Sequence, residues 1–542
     1  MKAIPMPAPQ PARGRPLLVI TGFMGTGKTT AGQTAARELG LPFFDNDPLV
    51  EARGGASIPE IFDRRGEEAF RELERGIVRD AALLSAAVVA TGGGAPLHRE
   101  SFSRLADGNE VVVLSADEAE LLRRLPSAET RPMLRPDPAH RIGELMAERA
   151  PAYAAAGGSL DTTHVSPEQT AKELVRRYTD RVPPGRPARI EVGGGPQPYP
   201  VLIGAGGVGQ VGAHIRESVP DARVAALVTD PATPAGRAAE ASLTEAGLRV
   251  ALLEVPSGEA AKAMQVANSL WQAFRDSGLD PTDVVVAVGG GATLDVAGFA
   301  AATYARGVSL VNVPTTLLAM VDASVGGKVG VDYANTKNLI GAFHHPQLVV
   351  SDPDVLAPLP PPTLREGMSE VVKAALLASP LFFEWLETAP LHDGVPQDVE
   401  WMIEQAVRIK AGYVTVDPRD RGLRKSLNLG HTFAHAIEAA SDYAVGHGEA
   451  VATGLVAAAR FGARLGHTDR GLEPRLIALL ERLGLPAHPP MKLQLGSLLD
   501  AMAGDKKRRA ARAVFVVPAA GGAVLVEGVD PQEAITCLVP TP

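Results

Sequence analysis

The chain of 542 residues is too long for one hydrophobic core and points to two to four domains. Its 45% hydrophobic and 21% charged residues are ordinary for a soluble globular protein, and a net charge of -9 argues against a general nucleic-acid binder, which needs a basic face to neutralise phosphate. Cys537 is the single cysteine, so no internal disulfide can form and a reducing cytoplasmic location is the default, while no apolar run approaches the roughly 20 residues that cross a bilayer.

Residues 1–16 carry five prolines and two arginines without an apolar stretch and read as a disordered tail, not a signal peptide. The apolar run Leu17–Thr21 predicts a buried parallel strand feeding into GFMGTGKTT, Gly22 to Thr30. That is the GxxxxGKT pattern: the backbone amides of the loop containing Gly25, Thr26 and Gly27 wrap a phosphate chain, Lys28 reaches the outer phosphates, the Thr29 hydroxyl ligates Mg2+, and Thr30 follows in the helix. A second strand, Leu41–Phe44, ends in Asp45-Asn46-Asp47, acids suited to Mg2+ and an acceptor hydroxyl. The helix EEAFRELE carries Arg71. The strand Ala87–Ala90 ends in Thr91-Gly92-Gly93-Gly94, where bare backbone can approach a ligand. ETRPML supplies Arg131 and ERAPAY supplies Arg149. Arg71 and Arg149 suit a planar carboxylate, and Arg131 suits a phosphoryl group in transfer. Taken singly, Arg71 or Arg149 reads as a surface ion pair; their order relative to DND and TGGG shifts the balance.

Over residues 17–178 these motifs together resemble shikimate kinase, a P-loop kinase with a parallel sheet of the nucleoside-monophosphate-kinase type. The resemblance implies ATP with Mg2+ held by Thr29 and Asp45, and shikimate against Asp47, Arg71, Gly93, Gly94 and Arg149. It also implies Arg131 as a lid residue over ATP and Asp47 as the group that orients or deprotonates the acceptor hydroxyl. A gluconate-type kinase is not expected to keep the acid-Arg-GGG-Arg set in this order.

Residues 179–200, with PPGRP and GGGPQPYP, read as a linker, cut near Arg186. Next comes VLIGAGGVG, Val201 to Gly209, which fits GxGxxG behind a strand. Asp230, the acid after the next strand, is followed at once by Pro231, so the motif reads as a tight turn, not a dinucleotide site. Strands at Val224–Val228, Val250–Val255, Val284–Val288 and Leu310–Val313 alternate with helical segments and predict a mostly parallel α/β sheet. The third runs into GGGATLD, where Gly289, Gly290 and Gly291 open a path for a pyrophosphate at a helix start and Asp295 closes it. The fourth ends in Pro314-Thr315-Thr316 at the same edge. Asp322, Lys328, Lys337 and Asn338 follow in one segment that reads as a basic pocket for a phosphorylated anion.

From Arg365 the pattern turns helical. GMSEVVK places Glu370 and Lys373 at i and i+3, and Lys410, Arg424 and Asn428 lead to LNLGHTFAHAIEAASDYAVGHGE. There His431, His435 and Glu438 recur at i, i+4 and i+7 on one helical face, and Gly446 and Gly448 flank His447. Two histidines with Glu370 make a His2Glu set for a divalent metal; the bland alternative is a group of helix-cap or core histidines. The basic cluster Lys506–Arg509 reads as a solvated loop or a local anion site.

PSGEAAK, GGGATLD, ATYARGV, VPTTLLAMVDASVGGK, KNLIGAF, GMSEVVK, LNLGHTFAHAIE, HGEAV and DKK occur in one order and closely resemble 3-dehydroquinate synthase. The resemblance implies a Rossmann-like α/β NAD region over 201–355 and an all-helical metal-binding region over 356–542. It implies Zn2+ or Co2+ on Glu370, His431 and His447, and NAD+ against Ser257, Gly258, Glu259, Lys262, Gly291, Asp295, Thr315 and Thr316, with Lys328 and Lys337 beside it. The resemblance implies that the substrate, 3-deoxy-D-arabino-heptulosonate 7-phosphate, meets Asp322, Lys328, Lys337, Asn338, Lys373, Lys410, Arg424, Asn428, His435 and Lys506. The resemblance further implies a homodimer formed through this region, with Arg306 coming from the neighbouring subunit. Leu294 departs from the family, which usually has a small residue there. The reading is therefore a bifunctional shikimate-pathway enzyme with small-molecule substrates and no nucleic-acid or membrane partner. A metal-dependent polyol dehydrogenase has no use for Lys328, Lys337 and Lys373, a related sugar-phosphate cyclase is separable by substrate assay, and a scaffold has no need of Lys28, Thr29 and the metal trio together.

Overall fold

The structure, a computed structural model, describes residues 1–125, 132–134, 137–334, 336–509 and 514–538, with Pro132 and 503–509 as backbone only. It falls into two compact units, Gly14–Arg186 and a second made of Met1–Arg13 with Pro187–Pro542.

The smaller unit is built on a five-stranded sheet in the order Phe43–Asp45, Val88–Ala90, Leu18–Gly22, Glu110–Ser115, Gly158–Asp161, parallel throughout. Every residue of the central strand Leu18–Gly22 is buried, which is why it reads as an unbroken apolar run. Ala31 and Ala35 of helix Lys28–Leu39 and Leu174 of helix Pro167–Arg181 close one face over Leu18, Ile20, Val88 and Val112. The P-loop thus sits at the carboxyl end of the central strand.

The larger unit carries a seven-stranded sheet in the order Arg249–Glu254, Val224–Thr229, Val284–Gly289, Ser309–Pro314, Leu348–Ser351, Tyr199–Ile203, Ala188–Val192. All neighbours are parallel except the last pair. Gly289 stands opposite Pro314 in register, so the GGG turn and the Pro-Thr-Thr turn share one edge. Leu294 packs in the core of this unit with Val285, Ala287 and Val296, where the larger side chain is accommodated. The helices that follow, Pro361–Ala378, Val399–Val416, His431–Ala440 and His447–Arg464, carry Glu370, Lys410, His431 and His447. Among the described residues no helix is long and apolar enough to cross a membrane.

Four expectations need correction. The supposed tail contains a strand, Lys2–Pro7, paired antiparallel with Gly522–Glu527, and Ala12 is hydrogen bonded to Arg408; the prolines do not prevent this because they lie on an edge strand. The supposed linker is largely structured. Helix Pro167–Arg181 runs into it, and Ala188–Val192 and Tyr199–Ile203 are sheet strands, the first alternating buried Ala188, Ile190 and Val192 with exposed Arg189 and Glu191. The helical region is not purely helical: Lys2–Pro7, Gly522–Glu527 and Val514–Ala519 form a three-stranded sheet against it. The backbone at Lys506–Arg509 is the end of helix Leu495–Arg509, not a loop. The GxGxxG stretch does form a turn, and its amides are already occupied: Gly206 and Val208 donate to the two carboxylate oxygens of Asp352, each at 3.1 Å.

Candidate active sites

In the smaller unit the P-loop, the DND turn and the TGGG turn surround a cavity of about 810 Å3, with Gly25, Thr26, Gly27 and Thr30 on its wall. Lys28 Nζ donates to the carbonyls of Gly22 and Phe23 at 2.9 and 3.0 Å, which holds the ammonium over the mouth of the loop. Thr29 Oγ1 donates to Asp45 Oδ2 at 2.6 Å. Burial pushes the Asp45 carboxyl up and the Thr29 hydrogen bond opposes it, so a cation beside the pair would relieve the strain on the charged form. Asp47 lines the same cavity.

Arg71 Nη1 donates to Glu74 Oε2 at 2.8 Å, and Glu74, only 1% exposed, is pushed up by burial against the pull of Arg71. Glycine is required opposite this pair. A Cβ at Gly94 would lie 2.1 Å from Arg71 Nη1, and one at Gly92 would lie 2.0 Å from Glu74 Oε1. Arg149 is 2% exposed, lies over the Phe23 ring at 5.5 Å, and comes within 3.2 Å of a Cβ built on Gly93. Two guanidinium groups therefore converge on one glycine turn, a geometry that fits a carboxylate and hydroxyls. Arg131 lies outside the described residues. Glu74, three residues beyond Arg71, was missed by sequence reasoning. Its signal was the i, i+3 spacing, hidden among four other glutamates of the same helix.

In the larger unit, Lys262 Nζ sits 2.8 Å from Asp295 Oδ2, donates to Asn338 Oδ1 at 2.9 Å and lies 3.9 Å from Glu259. Burial pushes Asp295 up to about 6, with Lys262 opposing and Glu259 and Asp322 adding to the rise. Gly291 opens helix Gly291–Thr303, the Thr315 amide donates to Gly289 O at 2.9 Å, and Thr316 Oγ1 accepts from the Ala319 amide at 3.2 Å. Ser257 precedes the turn Gly258–Lys262 and donates its hydroxyl to Asp230 Oδ1 at 2.7 Å. Asp230, discounted above because Pro231 follows it, therefore stands at the carboxyl end of strand Val224–Thr229 beside this edge.

Glu370, His431 and His447 offer ligand atoms all within 4.8 Å of one another. His431 Nε2 is 3.4 Å and His447 Nε2 3.9 Å from Glu370 Oε1. His431 Nδ1 lies 3.2 Å from Leu429 O, so its N-H donates there and leaves the Nε2 lone pair facing the carboxylate. Burial, then Lys373 and His447, hold His431 well below the ordinary imidazole range and so neutral. Both Glu370 oxygens are buried without a hydrogen bond among the described residues, apart from the ion pair with Lys373. A buried carboxylate facing two imidazole lone pairs fits a divalent cation. Glu438 Oε1 lies 3.4 Å from His447 Nδ1 and orients that ring, a role its place on the His431–His435 face did not reveal.

Around the trio stand the cations. Lys410 pairs with Asp322 and Lys328 with Asp420. Lys337 reaches Glu259 at 3.9 Å and Glu438 at 3.8 Å, with its ammonium 4.4 Å over the Tyr443 ring, so it ties the turn Gly258–Lys262 to the histidine helix. Although burial resists ionisation of Asp322, Lys410 and Lys373 hold its carboxyl well below the usual range. Arg424 is buried and donates to the carbonyls of Gly326 and Pro418 at 3.1 and 2.9 Å, and Asn428 ends the same turn, Leu423–Asn428. The His435 ring lies edge-on to His431 at 5.7 Å. Asn338 adopts φ +52° and donates its amide to Asp332 at 2.7 Å. Arg306 is exposed on a turn in which Ala305 and Arg306 both have positive φ, 49° and 68°. The side chain of Lys506 lies outside the described residues.

Residues 252–366 match the family model for the 3-dehydroquinate synthase N-terminal region, 367–508 match that for its C-terminal region, and 24–179 match that for shikimate kinase. A 3-dehydroquinate synthase of Symbiobacterium thermophilum is 45% identical over 337 residues, 61% of this chain and 94% of the relative. One of Streptomyces avermitilis is 41% identical over 348 residues, 63% of this chain and 95% of the relative. Among solved structures, the 2-epi-5-epi-valiolone synthase of Streptomyces hygroscopicus with NAD+ and Zn2+ bound superposes with a TM-score of 0.56 at 26% identity, covering 63% of this chain and 95% of that one. A 2-deoxy-scyllo-inosose synthase with NAD+ and Co2+ shares the fold, with a TM-score of 0.58 at 23% identity, over 65% of this chain and 99% of that one.

Proposed function

Since the chain belongs to the 3-dehydroquinate synthase family through its larger unit and carries a shikimate kinase domain in its smaller one, we propose that it catalyses two shikimate-pathway reactions. These are phosphorylation of shikimate by Mg2+-ATP to shikimate 3-phosphate, and cyclisation of 3-deoxy-D-arabino-heptulosonate 7-phosphate to 3-dehydroquinate with loss of phosphate. The observation that carries the second is the convergence of Glu370, His431 and His447 beside the edge held by Lys262 and Asp295.

When bound, Zn2+ or Co2+ at the trio would acidify a substrate hydroxyl and NAD+ would take up and return a hydride, so no net redox change results. Lys373 holds Glu370 in place from the far side. Lys328, Lys337 and Arg424 present positive charge for the phosphate that must bind and leave, and Lys410 fixes Asp322 as a carboxylate within reach of the same space. His435, edge-on to His431, is placed to relay a proton. Arg306, exposed on a turn with a left-handed backbone at two successive non-glycine residues, is suited to completing the site of a second copy in a homodimer, since such strained turns cluster at functional sites. In the smaller unit Thr29 and Asp45 supply the Mg2+ site, Asp47 receives the acceptor hydroxyl, Arg71 and Arg149 hold the shikimate carboxylate, and Lys28 neutralises charge on the transferring phosphoryl group. The full chain is tested with both substrate sets. Phosphate release from the heptulosonate phosphate without accumulation of NADH supports the reading, and steady NADH production contradicts it.

Two outcomes follow from particular groups. Arg71→Lys keeps the charge but loses the planar fork, and is expected to raise the KM for shikimate about tenfold while that for ATP stays within about twofold. Steady-state kinetics in both substrates checks it; a parallel rise in both KM values would mean that the fold, not the carboxylate contact, was lost. Lys410 is pushed down to about 8 by burial, Asp322 opposing and Arg424 and Lys373 assisting. Its charge is present below that pH and lost above it, so kcat/KM for the heptulosonate phosphate is expected to fall above about pH 8. Lys410→Arg should move that limb upward, and a pH profile unchanged by the substitution would assign the limb to another group.

A further inference from the structure

Residues Met1–Arg13 precede the kinase in the chain yet belong to the synthase unit in space. The strand Lys2–Pro7 pairs with Gly522–Glu527 over six residues, from Lys2 opposite Glu527 to Pro7 opposite Gly522, and Ala8 continues the ladder by donating to Gly521 O at 2.9 Å. Donors on this ladder fall on even positions, so Pro5 and Pro7, which have none, face the open edge and block further pairing. The chain then crosses helix Val399–Val416. The Ala12 amide donates to Arg408 O at 2.9 Å, and Arg408 Nε donates back to Ala12 O at 2.7 Å, with Arg408 itself 5% exposed.

Two glycines of the synthase unit lie against this arm; Gly522 is also required by its positive φ of 151°, whereas Gly412 has no other crowding neighbour among the described residues. A Cβ on Gly412, in the interior of that helix, would lie 2.5 Å from Gln10 O, and one on Gly522 would lie 2.4 Å from Met6 O. Glycine inside a helix is otherwise unfavourable, so its presence one turn beyond Arg408 marks a close approach. Lys410 projects from the same helix onto Asp322, and the strand Lys2–Pro7 also borders the turn Leu423–Asn428 that bears Arg424 and Asn428.

We propose that Met1–Arg13 is a strap of the synthase unit that holds helix Val399–Val416 and turn Leu423–Asn428 in place for substrate, so that the kinase is an insertion within the synthase and not a domain fused ahead of it. The strap acts through Lys410, Arg424 and Asn428 and is a positioning element; its effect on turnover rests on the reading of those three as substrate contacts.

Three variants are compared with the intact chain: deletion of residues 2–13, Gly412→Ala, and the two combined. The deletion is expected to raise the KM for the heptulosonate phosphate at least tenfold and to strip amide-exchange protection from 523, 525 and 527, whose amides face the arm, with shikimate phosphorylation within twofold of the parent. A synthetic peptide of residues 1–13 added in trans should restore both. Gly412→Ala should reproduce the deletion in the intact chain and do no harm in the deleted one, where alanine is the better helix former. Unchanged KM and protection after deletion, or a Gly412→Ala defect that persists without the arm, overturns the strap. Should the intact chain fail to convert the heptulosonate phosphate, the functional reading fails alone, because amide exchange needs no substrate and still decides whether the arm holds the unit.

Discussion

Glu370→Gln is expected to reduce cyclisation by about 10^3-fold or more while shikimate phosphorylation proceeds at the parental rate. The substitution keeps the shape of the side chain and removes its charge, so what is lost is the anionic ligand and the partner of the buried Lys373. Weakening a group that merely orients a metal ligand costs roughly 10–100-fold, and losing the ligand itself must cost more. A truncation to alanine would be harder to interpret, because breaking a buried ion pair by removing one partner costs about 3–5 kcal/mol of stability. Metal analysis of the purified variant should find well under one equivalent bound. Parental metal content with parental turnover would place the cation elsewhere.

Lys28→Met is expected to be the mirror experiment. The ammonium is held over the P-loop by the carbonyls of Gly22 and Phe23, and on the proposed function it meets the outer phosphates of ATP. Methionine fills the same volume without charge, and removing one preorganised electrostatic contact of this kind costs on the order of 10^2- to 10^3-fold in kcat. Phosphorylation of shikimate should fall by that factor and cyclisation should not change, since the two reactions draw on separate units. A coupled-enzyme assay for ADP checks the first and phosphate release checks the second. Loss of both activities would mean that the units are functionally coupled.

Much of the site was legible in the sequence because the chemistry demands particular residue types at particular spacings. GxxxxGKT is a fixed pattern, and Glu370, His431 and His447 on three helices leave histidines in a pattern that core packing does not need. The parallel sheets were legible for a similar reason, since strands buried on both faces read as runs such as Val284–Gly289. What escaped were relations rather than residues. Glu438 orients His447 from a neighbouring helix, and Asp230 meets Ser257 across a crossover, and no local pattern announces either contact. The strand Lys2–Pro7 escaped for two physical reasons: proline is disfavoured in strands in general but not on an edge, and its partner lies at the opposite end of the chain. Ala188–Val192 did show strand alternation, masked by the proline- and glycine-rich turns on either side.

The central claim is that one carboxylate and two imidazoles from three helices share a single divalent cation. Anomalous diffraction from crystals of the full chain grown with Zn2+ tests it directly. The account predicts one strong peak about 2.0–2.2 Å from Glu370, His431 Nε2 and His447 Nε2 together. A peak ligated by other side chains, with these three turned apart, would contradict it.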